Sequence, residues 1–287
     1  MNSELTSPAY LDHSLSIDVY HSMPGISKSG LDLIAQSPAI FHARVLDPNR
    51  PPRRALAGQL EGNLAHCSIL EPEQFERRYV VGPTVNRSTN IWKEFVERNK
   101  GLGRIAIQQD QFETAMRQAE SVRALPEINR YLGSGKAEVS AFWRDSITGV
   151  ECRCRPDFVH PLSESSVVLL DVKTFSSAAA EEFRRQCARK KYHVQDTFYS
   201  EGFSIAARVT VEKFVFVAVE TEYPYAAASY TLGKESREEG YLEWRRLLDV
   251  YEECLRTKKW PGYANKTVEI DLPPYAFTSQ EVEISYV

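Results

Sequence analysis

The sequence predicts an α/β fold, a central mixed β-sheet flanked by helices, with a helical N-terminal part. Three observations carry this. The run Val167–Lys173 (VVLLDVK) is short and nearly all apolar, as a strand buried on both faces is. From about residue 137 the segments follow the order β-β-β-α-α-β. Before that point, apolar residues recur every three or four positions, which is helical spacing.

The elements can be justified in order. The first 20 or so residues read as loosely structured. The chain is expected to divide into a flexible segment 1–24, a single domain 25–260 and an irregular, proline-containing tail 261–287. Gly25 turns the chain into Ser27, an N-cap for a short helix over 28–35. Ser37-Pro38 places a cap and an N1 proline before a helix reaching Leu46. A proline-rich basic loop follows over 47–54. Residues 55–70 read as a helix with Ala57, Leu60, Leu64, Cys67 and Leu70 on its apolar face, and 91–100 and 108–124 as two more. Residues 138–145, the turn 146–149 and residues 150–159 read as strand, turn and strand. After the buried strand come helices over 178–191 and 193–207, a strand over 213–220 and an edge strand over 226–232. A long helix over 235–256 carries Tyr241, Trp244, Leu248, Tyr251 and Leu255 on one face.

Composition narrows the class of protein. Hydrophobic residues make up 43% of the 287, which excludes a mostly disordered chain. No apolar run reaches the roughly 18–20 residues that span a bilayer, so no membrane partner is expected. The N-terminus has no basic start followed by an apolar stretch, so no signal peptide is expected. Five cysteines (67, 152, 154, 187 and 254) show no C-x-x-C spacing, which suits a reduced, cytoplasmic protein. With 35 Lys+Arg against 39 Asp+Glu the net charge is −4, which argues against a protein that coats nucleic acid over its whole surface. Phosphate binding needs only local positive charge. Arg184, Arg185, Arg189, Lys190 and Lys191 supply it over 184–191 with no acid between them. Arg153 and Arg155 lead to Asp157, and Arg44, Arg50, Arg53 and Arg54 form another group. The commoner role of any such cluster is a solvated surface.

The most informative stretch is Pro156-Asp157 followed by Asp171-Val172-Lys173. Period two puts Asp171 and Lys173 on one face of the buried strand, in phase with Leu169. A buried strand rarely carries an acid and a lysine unless they are paired or bind something. Two carboxylates brought together repel unless a cation lies between them. Oxygen donors without a thiolate cluster favour Mg²⁺ or Mn²⁺, and a lysine beside such an ion can orient or deprotonate a water for phosphodiester hydrolysis. The competing reading is a solvated strand end and a simple Pro-Asp turn. On the following helix, Gln195 and Tyr199 are four apart and share a face, offering an amide and a phenol to the same place.

Together, Pro156-Asp157, Asp171-Val172-Lys173 and Gln195-x-x-x-Tyr199 resemble the PD-(D/E)xK nuclease superfamily, and its restriction-endonuclease-like core. The stretches 25–45, 62–81, 152–157 and 192–203 resemble the nuclease domain of the RecE-like exonucleases, and that resemblance runs from about Tyr20 to about Trp260. It matches the nuclease domain alone, without the long N-terminal extension of full-length relatives. The resemblance implies a Mg²⁺-dependent enzyme, with Mn²⁺ substituting, that digests one strand of linear double-stranded DNA from the 5′ end. The 3′ single-stranded tail would serve homologous recombination through a RecT-like annealing protein. Such enzymes form homo-oligomeric rings, trimers or tetramers. Carried over by residue, His66, Asp157, Asp171 and the Val172 carbonyl would hold metal, and Lys173 would position or activate water. Gln195 and Tyr199 would support the phosphate and the water. Glu138 matches an acidic catalytic position, and Ser27, Lys28 and Ser29 match a segment near the 5′ phosphate. The spaced cysteines of iron–sulfur members are missing, so no cluster is expected. The alternatives are an endonuclease or single-strand-specific repair nuclease on the same core, or a non-enzymatic DNA-binding scaffold.

Overall fold

The structure is a computed structural model that describes residues 9–51, 58–273 and 276. In chain order the N-terminal part holds β1 (Tyr10–Asp12), α1 (Ile17–Ser22), α2 (Lys28–Gln36), α3 (Pro38–Phe41) continuing as a π-helical turn (His42–Leu46), α4 (Gln59–Leu70), α5 (Pro72–Arg78), β2 (Tyr79–Val81), α6 (Asn90–Lys100), β3 (Ile105–Ile107), α7 (Gln109–Arg123) and α8 (Pro126–Leu132). The remainder holds β4 (Lys136–Ala137), β5 (Ser140–Arg144), β6 (Glu151–Cys154), β7 (Phe158–Pro161), β8 (Ser166–Phe175), α9 (Ala180–Lys190), α10 (Tyr192–Ala207), β9 (Thr210–Glu220), β10 (Ala227–Tyr230) and α11 (Lys234–Thr257). The predicted α/β class with a mixed central sheet is the fold observed.

The central sheet runs β10-β9-β8-β7-β4, with β8 and β9 parallel and the other pairs antiparallel. A second sheet, β1-β5-β6, stands beside it. β8 lies in the middle, and alternation along it separates two cores. Leu169 packs with Trp143, Phe198, Phe216 and Trp244, beneath α10 and α11. Val168, Leu170 and Val172 face the other way, onto Ala65, Ile69, Val122 and Ile128 of the α4, α7 and α8 layer. Close approach fixes α10 in place. A Cβ on Gly202 would lie 2.2 Å from the Trp143 ring, and one on Gly240 of α11 would lie 2.2 Å from the His193 carbonyl.

Several expectations are corrected. Residues 9–24 are not loose: β1 pairs with β5, and Tyr10 stacks on Phe142 with ring centroids 4.9 Å apart. Ser27 does cap α2, accepting from the Gly30 amide, but the Ser37 hydroxyl instead donates to the Pro261 carbonyl at 3.1 Å. The strand expected at 150–159 is broken in two, as β6 and β7, and the one expected at 138–145 begins only at Ser140, as β5. The apolar stripe read on α4 divides between two cores, with Leu70 packed on the sheet. Leu64 and Cys67 pack into a satellite core with Phe75, Tyr79, Ile107 and Ala115, while the adjacent Ala65 and Ile69 meet the sheet. Ala57, Arg53 and Arg54 lie outside the described residues. Residues 261–273 form neither helix nor strand.

Candidate active site

The site begins with a proline. Pro156 has no N–H for a ladder, and the strand containing it splits into β6 and β7 at Arg155–Asp157. The opposing strand breaks at the same level, between β4 and β5, where Glu138 takes a left-handed conformation with φ +57°. The Glu138 N–H donates to the Asp157 carbonyl at 2.9 Å, tying the two breaks together. On one side of the breaks the chain belongs to the central sheet, and on the other to the β1-β5-β6 sheet. Glu138 and Asp157 are thereby released from strict in–out alternation.

His66 of α4 completes a cluster with them: one donor atom each of His66, Glu138 and Asp157 lies within 4.8 Å of the others. His66 Nδ1 is 3.5 Å from Asp157 Oδ2, and that oxygen also accepts from the Val172 N–H at 2.7 Å. His66 reaches this point because its neighbour Ala65 is the residue that seats α4 on the sheet. A Cβ at Gly62, one turn earlier, would meet nothing within 4 Å.

Asp171 stands beside this cluster and is almost fully buried. Gln195 Nε2 donates to its Oδ1 at 2.5 Å, and Lys173 forms an ion pair with its Oδ2. Lys173 also lies over the Tyr192 ring, 5.0 Å from the centroid. Tyr199 packs edge-on to Phe214. Of the expected site residues, the structure therefore brings together His66, Glu138 and Asp157 as one donor set, and Asp171, Lys173 and Gln195 as an adjoining network.

The electrostatics follow from crowding. Burial, then the neighbouring Asp171 charge, push the Asp157 carboxyl well above its ordinary range. Burial also raises Glu138, partly offset by Arg155. Burial and Lys173 lower His66, so its imidazole is neutral and able to ligate. For Lys173, burial disfavours the charge, but Asp171 and Asp157 outweigh it and hold the ammonium above its usual value. Burial raises Tyr199 strongly, and its phenol stays protonated. These residues fit a divalent cation. They offer oxygen donors and one imidazole but no thiolate, and their buried carboxylates repel. Asp171 Oδ2 is paired with the Lys173 ammonium, so the donor set that could hold the ion is His66, Glu138 and Asp157.

The residues expected to meet DNA divide sharply. Arg153 is turned inward: its guanidinium donates to the carbonyls of Gly25 (2.9 Å), Tyr20 and His21 (3.4 Å), which corrects its assignment as a phosphate contact. Arg155 is also inward, paired with Glu138, which corrects the same assignment. Both were misread because strand alternation shows which face a side chain takes but not whether that face is covered. Lys191 pairs with Glu243 across α11 and is likewise engaged within the chain. Arg184 and Arg185 are exposed and pair with Glu181 and Glu182 one turn back. Arg189 and Lys190 are exposed at the end of α9. Ser27 Oγ lies 3.0 Å from Ser29 Oγ, and Lys28 donates to Asp32 and, at 2.7 Å, to the Lys190 carbonyl. That bond joins the α2 N-terminus to the basic end of α9.

With this geometry in place, comparison with known proteins identifies the family. The family described as "PDDEXK-like domain of unknown function (DUF3799)" matches residues 27–272. The chain belongs to this family, within the PD-(D/E)xK nuclease superfamily. No curated protein matches it. Among solved structures, it is similar to a protein from Eubacterium rectale described provisionally as an exonuclease. The TM-score is 0.54 at 13% identity, covering 91% of this chain and 97% of that one, which is a likeness of fold. A protein from Vibrio cholerae aligns at a TM-score of 0.22 and 8% identity, over 81% of this chain and 57% of that one. Among the described residues of this PDDEXK-like protein, no helix is long and apolar enough to cross a membrane.

Proposed function

We propose that this PDDEXK-like protein is a Mg²⁺-dependent exonuclease of the RecE type that degrades one strand of linear duplex DNA from its 5′ end. The observation that carries the reading is the convergence of His66, Glu138 and Asp157 beside the Asp171–Lys173–Gln195 network. The sequence resemblance supplies the polarity and the setting. In that setting the 3′ tail feeds strand annealing by a RecT-like partner, and a ring of subunits encloses the duplex.

His66, Glu138 and Asp157 would hold the ion, with Asp171 and the Val172 carbonyl alongside. A divalent cation there supplies Lewis acidity, offsetting phosphate charge and acidifying water. The chain's own groups do the rest. Lys173, held protonated by Asp171 and Asp157, is poorly suited to accept a proton and acts by charge and orientation at the phosphate. Gln195 spends its amide N–H on Asp171, leaving its carbonyl oxygen to accept from a water. The Tyr199 phenol, kept neutral, is a hydrogen-bond donor. Exposed Arg189 and Lys190, linked to α2 through Lys28, offer the backbone contacts that carry no sequence preference.

Linear duplex labelled at either end, digested with Mg²⁺ beside a covalently closed circle, tests the assignment. Early release of the 5′ label with the circle intact is the expected result. Cleavage of the circle, or first release of the 3′ label, would overturn the exonuclease polarity while leaving a nuclease.

A further inference from the structure

We infer that Arg155 is a positioning residue for Glu138, and that the N-terminal segment 9–25 is the frame that holds Arg155 in place. The inference rests on the metal-site reading above. Glu138 occupies a left-handed backbone conformation, which a residue with a Cβ adopts only when its surroundings impose it. Its side chain has to leave the strand ladder and reach His66 and Asp157.

The guanidinium that directs it is itself anchored through two of its three nitrogens and over one ring. Arg155 Nε donates to Glu138 Oε2 at 2.6 Å, and its NH1 donates to the Leu15 carbonyl at 3.0 Å and to Ser140 Oγ at 3.2 Å. Its plane lies over the Tyr20 ring, 5.5 Å from the centroid, and its side chain is only 9% exposed. Leu15 and Tyr20 belong to a segment that is independently anchored. Arg153 grips the Tyr20, His21 and Gly25 carbonyls and stacks on the same ring at 4.8 Å, while β1 pairs with β5. Glu138 Oε2 is thus held by a guanidinium anchored through Nε and NH1, while Glu138 supplies a donor atom to the cluster with His66 and Asp157. A lysine could supply the charge but not this planar, multiply anchored geometry.

The test is a double-mutant cycle read by Mn²⁺ affinity in isothermal titration, using wild type, Arg155→Gln, Arg155→Lys, Glu138→Gln and the double variant Arg155→Gln/Glu138→Gln. The metal-free melting temperature of each is recorded alongside. Residues that hydrogen-bond to a metal ligand typically contribute about 10–100-fold in affinity. Arg155→Gln is expected to weaken Mn²⁺ binding by about that factor, and Arg155→Lys to recover only part of it. In the Glu138→Gln background, removing Arg155 should cost little more, because its effect passes through the carboxylate. Arg155→Gln or Arg155→Lys binding Mn²⁺ like wild type would overturn the inference, as would fully additive losses. If wild type takes up no Mn²⁺, the metal-site reading fails first, and the positioning role falls with it.

Discussion

Asp171 is held between Gln195 and Lys173, beside the cluster of His66, Glu138 and Asp157. Period two correctly put Asp171 and Lys173 on one face, in phase with Leu169. It could not show that Glu138, expected at the start of a strand, sits in a left-handed break and joins His66 and Asp157. Nor could it show that Arg153 and Arg155 are consumed by backbone carbonyls and Glu138, since those carbonyls belong to a segment more than a hundred residues away. Asp196 was no candidate at all. It is buried beside Gln195, with Arg237 at 3.5 Å, and burial pushes its carboxyl up to about 6 from an ordinary 3.8. Folding therefore favours its protonated form. Stability from this group is full below about pH 4 and falls as the pH rises towards 6. Asp196→Asn should gain melting temperature relative to wild type as the pH is raised from 4 to 7, a trend that thermal denaturation at successive pH values would reveal.

At the scale of elements, the helices expected over 28–35, 91–100, 108–124, 178–191, 193–207 and 235–256 appear as α2, α6, α7, α9, α10 and α11, because spacing is local, whereas the short α1, α5 and α8 were not read. Nor were the broken strands, because a break between two sheets depends on which partner each half finds. Pro156 was the one local signal: it cannot join a ladder, and the strand divides there. On α4 the stripe divides, Leu64 and Cys67 entering a satellite core and Leu70 the sheet-side core, so spacing named apolar residues without naming their partners. The seating of α10, which delivers Gln195, depends on a feature that spacing does not express, the contact of Gly240 with the His193 carbonyl. Gly240→Ala should destabilise the fold by about 1–3 kcal/mol, as over-packing does. This should occur despite a helix-propensity gain of about 1 kcal/mol. The midpoint of urea unfolding measures it, and an unchanged or higher midpoint would show that α10 and α11 can part without cost.

For the whole molecule, two cores on either side of β8 hold the site rigid from both layers: His66 comes from the α4 side and Gln195 from the α10 side. An overall charge of −4 coexists with an exposed basic end on α9, so DNA binding should be confined and strongly salt-dependent. Replacing Arg189 and Lys190 with Gln should lower the magnitude of the log–log salt slope of DNA binding by about 0.9 for each lost phosphate contact, while leaving cleavage at saturating DNA unchanged. An unaltered slope would move the DNA path elsewhere. The central claim is that this cluster hydrolyses phosphodiesters with a divalent cation, and it is tested most directly by digesting linear duplex DNA with wild type and Lys173→Ala, each with Mg²⁺ and with chelator. The account predicts degradation by wild type only when Mg²⁺ is present, and a loss of about 100-fold or more in Lys173→Ala, the scale of removing one preorganised charge from a reacting centre. Equal degradation by the two proteins, or degradation that survives the chelator, would contradict it.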